Sequence, residues 1–178
     1  MLLGRTNFQV TELGFGGWPI GSYHYGDVSE KEARACIVTY LHYGGNFIDT
    51  ARLYNNSEEI IGHVLHHRGD RKSVYIASKS AEVDSFKLRE HLEESLRMLQ
   101  SDYIDLYYMH DPPEDPNDMD CLLTLFEQFK KEGKIREKIT SDYGLDYVNI
   151  RQYKNKSKNS QEAHEAIRPT EITRKPED

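Results

Sequence analysis

Cysteine is scarce in this sequence: Cys36 and Cys121 are the only two in 178 residues. Both fall on stretches with helical periodicity, a poor framework for a disulfide. A disulfide-stapled scaffold is therefore set aside, and a reducing compartment is expected. Long apolar runs are missing too. No stretch approaches the roughly 20 apolar residues that a membrane helix needs, and the first residues show no basic segment followed by an apolar one. A soluble, cytoplasmic protein with no membrane partner is the expectation. Hydrophobic residues make up 37% of the chain and the mean hydropathy is -0.76, so the core must be lean. Net positive charge is absent as well, and a net charge of -7 argues against bulk attraction to nucleic acid or anionic lipid. The pair His66-His67 lacks partners at ligand spacing, so no metal site is expected.

What is present is unevenly spread. Residues 1–136 carry 15 basic and 22 acidic side chains, whereas residues 137–178 carry 8 of each. Apolar periodicity also fades in the second stretch. Two unlike pieces are expected, 1–136 and 137–178.

Within the first piece, Leu2–Arg5 and Phe8–Glu12 flank Thr6-Asn7 and read as a small hairpin. A glycine-rich turn follows from Gly14 to Gly21. It does not match G-x-G-x-x-G, because Pro19 stands where the third glycine belongs. A tight loop after a strand is the simpler reading, and close approach of a ligand is the alternative. Ser29 and Glu32 form a capping box for a helix that carries Ala33, Ile37, Tyr40 and Leu41 on one face and ends at Gly44-Gly45. Strands are expected at Asn46–Asp49, Val74–Lys79 and Tyr103–His110. Between and after them run helices capped by Ser57 and Asp84, then one marked by Leu122, Leu125, Phe126 and Phe129. Strands alternating with helices imply right-handed crossovers and a parallel sheet.

Three expected strands end on chemically capable residues: Asp49, Lys79 and His110. Tyr54 lies in the loop after the first. The carboxyl ends of parallel strands share one face, where ligands bind in such folds, so one geometric assumption brings an acid, a phenol, an ammonium and an imidazole together. Each has a plain alternative: Asp49 capping locally, Lys79 solvated, Tyr54 packing, His110 ending a strand. As a set they suggest proton donation by Tyr54. A free phenol titrates near 10, so it needs tuning to work near neutrality. An ammonium about 4 Å away supplies on the order of 4 kcal/mol at an effective dielectric of 20, and only about 1 in bulk water. Lys79, held by Asp49, therefore tunes Tyr54 only inside a closed pocket, with His110 orienting a carbonyl oxygen.

These motifs resemble those of the aldo-keto reductases. Asp49-Thr50-Ala51-x-x-Tyr54 followed by Asn56-Ser57-Glu58-Glu59-x-x-Gly62 is similar to one family signature. Leu92-Glu93-Glu94-Ser95-Leu96 followed by Asp102-Tyr103-Ile104-Asp105-Leu106-Tyr107-x-x-His110 is similar to a second, and Leu3-Gly4-Arg5-Thr6 with Leu13-Gly14-Phe15-Gly16-Gly17 to the family's opening. The resemblance covers about residues 2–136. It implies an α/β fold, here an incomplete (β/α)8 TIM barrel of about four βα units after an N-terminal β-hairpin. It also implies NADP(H)-dependent reduction of a small carbonyl substrate, with Asp49, Tyr54, Lys79 and His110 as the catalytic set. Gly17, Trp18 and Asp49 become the cofactor-contact candidates.

The second piece, with four basic residues between Arg151 and Lys158, is expected to be an irregular or helical tail. Ser160-Gln161-Glu162-Ala163-His164-Glu165-Ala166-Ile167-Arg168-Pro169-Thr170 resembles a signature of type IA DNA topoisomerases. That resemblance implies contact of His164 and Arg168 with single-stranded DNA, but no strand cleavage, since the nucleophile motif is missing. A chimeric or truncated chain without autonomous function is the further alternative. An open half-barrel leaves sheet edges and an apolar inner face, so self-association is also expected.

Overall fold

The computed structural model describes residues 1–140 apart from Arg5, residues 22–25, Asp27, Pro112 and Glu114. Five parallel strands form one sheet: β1 (Phe15–Gly16), β2 (Phe47–Asp49), β3 (Tyr75–Ser80), β4 (Ile104–Met109) and β5 (Ile135–Thr140), side by side in chain order. Helices α1 (Trp18–Gly21) and α2 (Glu30–His42) link β1 to β2. Helices α3 (Ser57–Arg68), α4 (Ser85–Met98) and α5 (Pro116–Lys131) make the next three crossovers. Strands that always pair with their chain neighbour wind like a barrel segment; a doubly wound sheet reverses its order. The expected four βα units are therefore present.

Local chemistry explains the elements. At the start of α2, the Ser29 hydroxyl accepts from the Glu32 N–H, and the Glu32 carboxylate accepts from the Ser29 N–H at 3.0 Å, closing the expected capping box. Asp84 caps α4 by accepting from the Lys87 N–H at 2.9 Å. Gly69, with φ +68°, ends α3 in the left-handed conformation that costs glycine least. The apolar stripes all turn inward. Ile37, Ile61, Leu65, Leu88, Leu92 and Phe129 are buried against the outer face of the sheet, which contributes Ile48, Ile76 and Tyr107. Gly62 lets α3 and α4 meet, because a Cβ there would lie 2.3 Å from the Met98 carbonyl. The expected N-terminal hairpin is present: Leu2 faces Gln9 in an antiparallel bridge, the Leu3 N–H donates to the Phe8 carbonyl at 2.9 Å and the Val10 N–H to the Met1 carbonyl at 2.8 Å, and its buried Phe8 stacks on Tyr75 at the amino end of the sheet.

Two expectations are corrected. Ser57 does not cap α3. Asn56 stands at the cap, and the Ser57 hydroxyl is spent elsewhere, donating to the Gly17 carbonyl at 2.9 Å and sharing a hydrogen bond with Thr50 Oγ1 at 2.9 Å. The second concerns residues 137–140, read as polar helix or loop; they belong to β5, in register with β4 from Ile104–Ile135 to Met109–Thr140. Their charges had hidden the strand, and those charges are matched: Arg136 with Asp105, Glu137 with Lys130 and Lys138 with Glu127. The fifth strand thus crosses the expected boundary at 136. The remainder of the tail, with His164 and Arg168, lies outside the described residues. Among the described residues, no helix is long and apolar enough to cross a membrane.

Candidate active site

The carboxyl ends of β2, β3 and β4 converge because their registers are fixed. Asp49 pairs with Ala77, and Lys79 pairs with Tyr108. Inward-pointing positions recur every second residue. Lys79 and Tyr108 therefore stand side by side, with Asp49 one strand away.

The Lys79 ammonium donates to Asp49 Oδ2 at 2.7 Å, to the Thr50 carbonyl at 3.0 Å and to the Tyr108 hydroxyl at 3.1 Å. The Tyr108 hydroxyl in turn donates to Asp49 Oδ1 at 2.5 Å. Carboxylate, ammonium and phenol thus close a three-membered ring of hydrogen bonds. Lys79 is buried at 7% exposure, while the Asp49 side chain is 34% exposed. The pair sits at the mouth of the sheet, with its cation on the protein side.

Tyr54 stands over this ring of contacts. Its aromatic face lies 4.9 Å from the Lys79 ammonium, its edge meets Trp18 at 4.8 Å between centroids, and His110 stands perpendicular to it at 6.1 Å. The loop that carries Tyr54 is tied down by the Arg52 N–H donating to the Lys79 carbonyl at 3.0 Å, and by the ion pair between Arg52 and Glu94 at 2.6 Å. His110 follows β4, its N–H donating to the Ser80 carbonyl at 2.8 Å and its Nδ1 facing the Asp111 carboxylate at 3.5 Å. All four residues expected to form the catalytic set are therefore neighbours. Trp18 borders them. Gly17 lies behind, where Ser57 and Thr50 fill the space a side chain would need: a Cβ would meet Ser57 Oγ at 2.7 Å. Tyr108 is a site residue the motifs did not single out. Strand alternation would have found it, since it lies two residues before His110.

A second polar cluster is buried on the helix side of the sheet. Glu58, 1% exposed, accepts from the Ser78 hydroxyl at 2.6 Å through Oε1, while Oε2 meets no hydrogen-bond partner among the described residues. Burial pushes its carboxyl above the usual range, against the opposing pull of the Ser78 hydrogen bond. Nearby, burial also raises the Tyr107 phenol. Among the described residues, no three His, Cys, Asp or Glu side chains gather into a metal-binding group.

The family model for the aldo/keto reductases matches residues 12–165. The chain belongs to the aldo/keto reductase family. That match runs beyond residue 136, into the stretch that resembled a topoisomerase. Among curated relatives, the aldo-keto reductase YhdN of Bacillus subtilis is 31% identical over 156 residues, covering 80% of this chain and 46% of that protein. L-galactose dehydrogenase of Arabidopsis thaliana is 32% identical over 145 residues, covering 75% of this chain and 45% of that protein. A solved structure, the holo form of aldo-keto reductase AKR11C1 from Bacillus halodurans, superposes with a TM-score of 0.70 at 30% identity, covering 89% of this chain and 54% of that one. The sheet is thus part of an aldo/keto reductase barrel, and the chain spans about half the length of the relatives it matches.

Proposed function

We propose that this chain carries the proton-handling side of an NADP(H)-dependent carbonyl-reducing site, with Tyr54 as general acid. The observation that carries this reading is the convergence of Asp49, Tyr54, Lys79 and His110 at one strand-end face, with the ammonium over the Tyr54 ring. Phenol, ammonium and imidazole can supply and steer a proton, but none supplies electrons, so this donor set fits a partner that does. When bound, the reduced nicotinamide supplies the hydride. Trp18 and Asp49 would contact it, with Gly17 holding the loop behind them.

The chain's own residues do the rest. His110 orients the carbonyl oxygen toward Tyr54, and the Tyr54 hydroxyl gives its proton to that oxygen as negative charge develops there. Lys79, itself held by Asp49 and the Thr50 carbonyl, offsets the charge left on the phenolate. Trp18 packs against the Tyr54 ring at 4.8 Å between centroids and shields it on that side.

The reading is tested by incubating the chain with NADPH and a small aldehyde and measuring alcohol formed. Product is expected from the native sequence. In Tyr54→Phe it is expected to fall by roughly 10²- to 10⁴-fold, the usual contribution of a positioned acid. Equal yields from both would remove Tyr54 from that role.

A further inference from the structure

An ammonium has three N–H donors, and Lys79 commits all three: to Asp49 Oδ2, the Thr50 carbonyl and the Tyr108 hydroxyl. Tyr54, the acid in the reading above, meets that ammonium only with its ring. For Lys79 to stabilise a Tyr54 phenolate directly, one of the three contacts must be given up. The Asp49 contact joins opposite charges. The Thr50 carbonyl belongs to backbone anchored on β3, since the Thr50 N–H donates to the Ala77 carbonyl at 2.8 Å. The Tyr108 contact is the longest of the three, at 3.1 Å, and its acceptor is neutral.

We propose that Tyr108 is a positioning residue of this site: it holds the third N–H of Lys79 in the resting state and yields it to Tyr54 when Tyr54 becomes negatively charged. This rests on Tyr54 being the acid. The geometry suits such an exchange. The Tyr108 hydroxyl is fixed through the proton it donates to Asp49 Oδ1, so it stays in place while Lys79 turns. Adjacent register on β3 and β4 holds the two side chains together independently of any loop. Tyr108 thereby competes with Tyr54 for one donor.

The test is a pH titration of the chain labelled with [13Cζ]tyrosine, without cofactor, with the Tyr54 signal assigned through its loss in Tyr54→Phe. In Tyr108→Phe the third N–H is permanently open. The midpoint of the Tyr54 signal is expected to fall by about one pH unit, the scale of gaining one charge-assisted hydrogen bond. A purely structural role would lower the melting temperature and leave that midpoint alone, and an unmoved or raised midpoint overturns the proposal. Should Tyr108→Phe fail to fold, the native chain still decides. The 15N-labelled Lys79 ammonium is expected to exchange its protons with water more slowly than exposed Lys72, and equal exchange overturns the proposal. Aldehyde turnover separates the two readings. A shifted midpoint without turnover supports the donor exchange and removes the reductase reading. Turnover with an unmoved midpoint removes only the role of Tyr108.

Discussion

The two ends of the sheet use the same ingredients to different ends. At the amino end, Asp105 is 1% exposed and pairs with two guanidiniums, Arg71 at 2.9 Å and Arg136 at 2.6 Å, and it also accepts from the Ile76 N–H at 3.0 Å. Arg136 lies over Phe8 at 4.6 Å and Arg71 over Tyr103 at 4.1 Å. At the carboxyl end, Asp49 is a third exposed and pairs with an ammonium, again under aromatic rings. Tyrosine rings lie against the cations at both ends, so the difference lies in the cation. Arginine keeps its proton throughout and presents a rigid fork. The amino end is therefore a staple. Lysine rotates, and its donors can be reassigned. The carboxyl end has parts that can move a proton.

Removing each carboxylate should separate the two roles. Asp105→Ala leaves two arginines beside a buried site without their counter-charge, and about 3–5 kcal/mol of stability should be lost. Urea unfolding measures this, and a loss below about 1 kcal/mol would mean the amino end is no staple. Asp49→Asn should cost less stability, because Lys79 keeps the Thr50 carbonyl and the Tyr108 hydroxyl and Asp49 is partly solvated. Its turnover should nevertheless drop by roughly ten- to a hundredfold, as expected for one charge-assisted contact. Comparable destabilisation by both variants would erase the contrast.

Glu58 sharpens it in a third way, as a buried carboxylate held by a serine hydroxyl, where the attraction of Arg52 does not outweigh burial. Its folded value is raised by burial, so it stays protonated to higher pH in the folded chain than in the unfolded one. Below the unfolded carboxylate range, near about 4.3, it costs nothing. As pH rises from there through the raised folded value, the native state holds the extra proton and stability declines; beyond that the loss is constant. Denaturation midpoints measured across this window should fall in the native chain. In Glu58→Gln the decline should be shallower, and identical profiles would show that Glu58 ionises without cost.

Much of the site was legible from the chain itself, because strand ends and polar residues coincide. Asp49, Lys79 and His110 each close an apolar run, and parallel winding then gathers them. Tyr108 was overlooked since it lies inside the run Ile104–Met109, where an aromatic reads as core; only alternation distinguishes it from buried Tyr107. The fifth strand was obscured for the opposite reason. Residues 133–136 look like the approach to a strand, but Glu137 and Lys138 look like solvated loop until Lys130 and Glu127, both on α5, are seen to match their charges. Ser57 misled because a serine before a helix ordinarily caps it, and only the approach of Gly17 reveals its other use.

The strictly sequential order of the sheet has a consequence for how this chain is made. Paired positions such as Phe15 with Ile48, Ile48 with Ile76, and Ala77 with Leu106 are each separated by about thirty residues, so closing each successive loop costs nearly the same entropy. Every strand after β1 pairs with a strand that has already been synthesised. Each new strand–helix unit can dock on the edge left by its predecessor, so growth of the sheet can keep pace with synthesis.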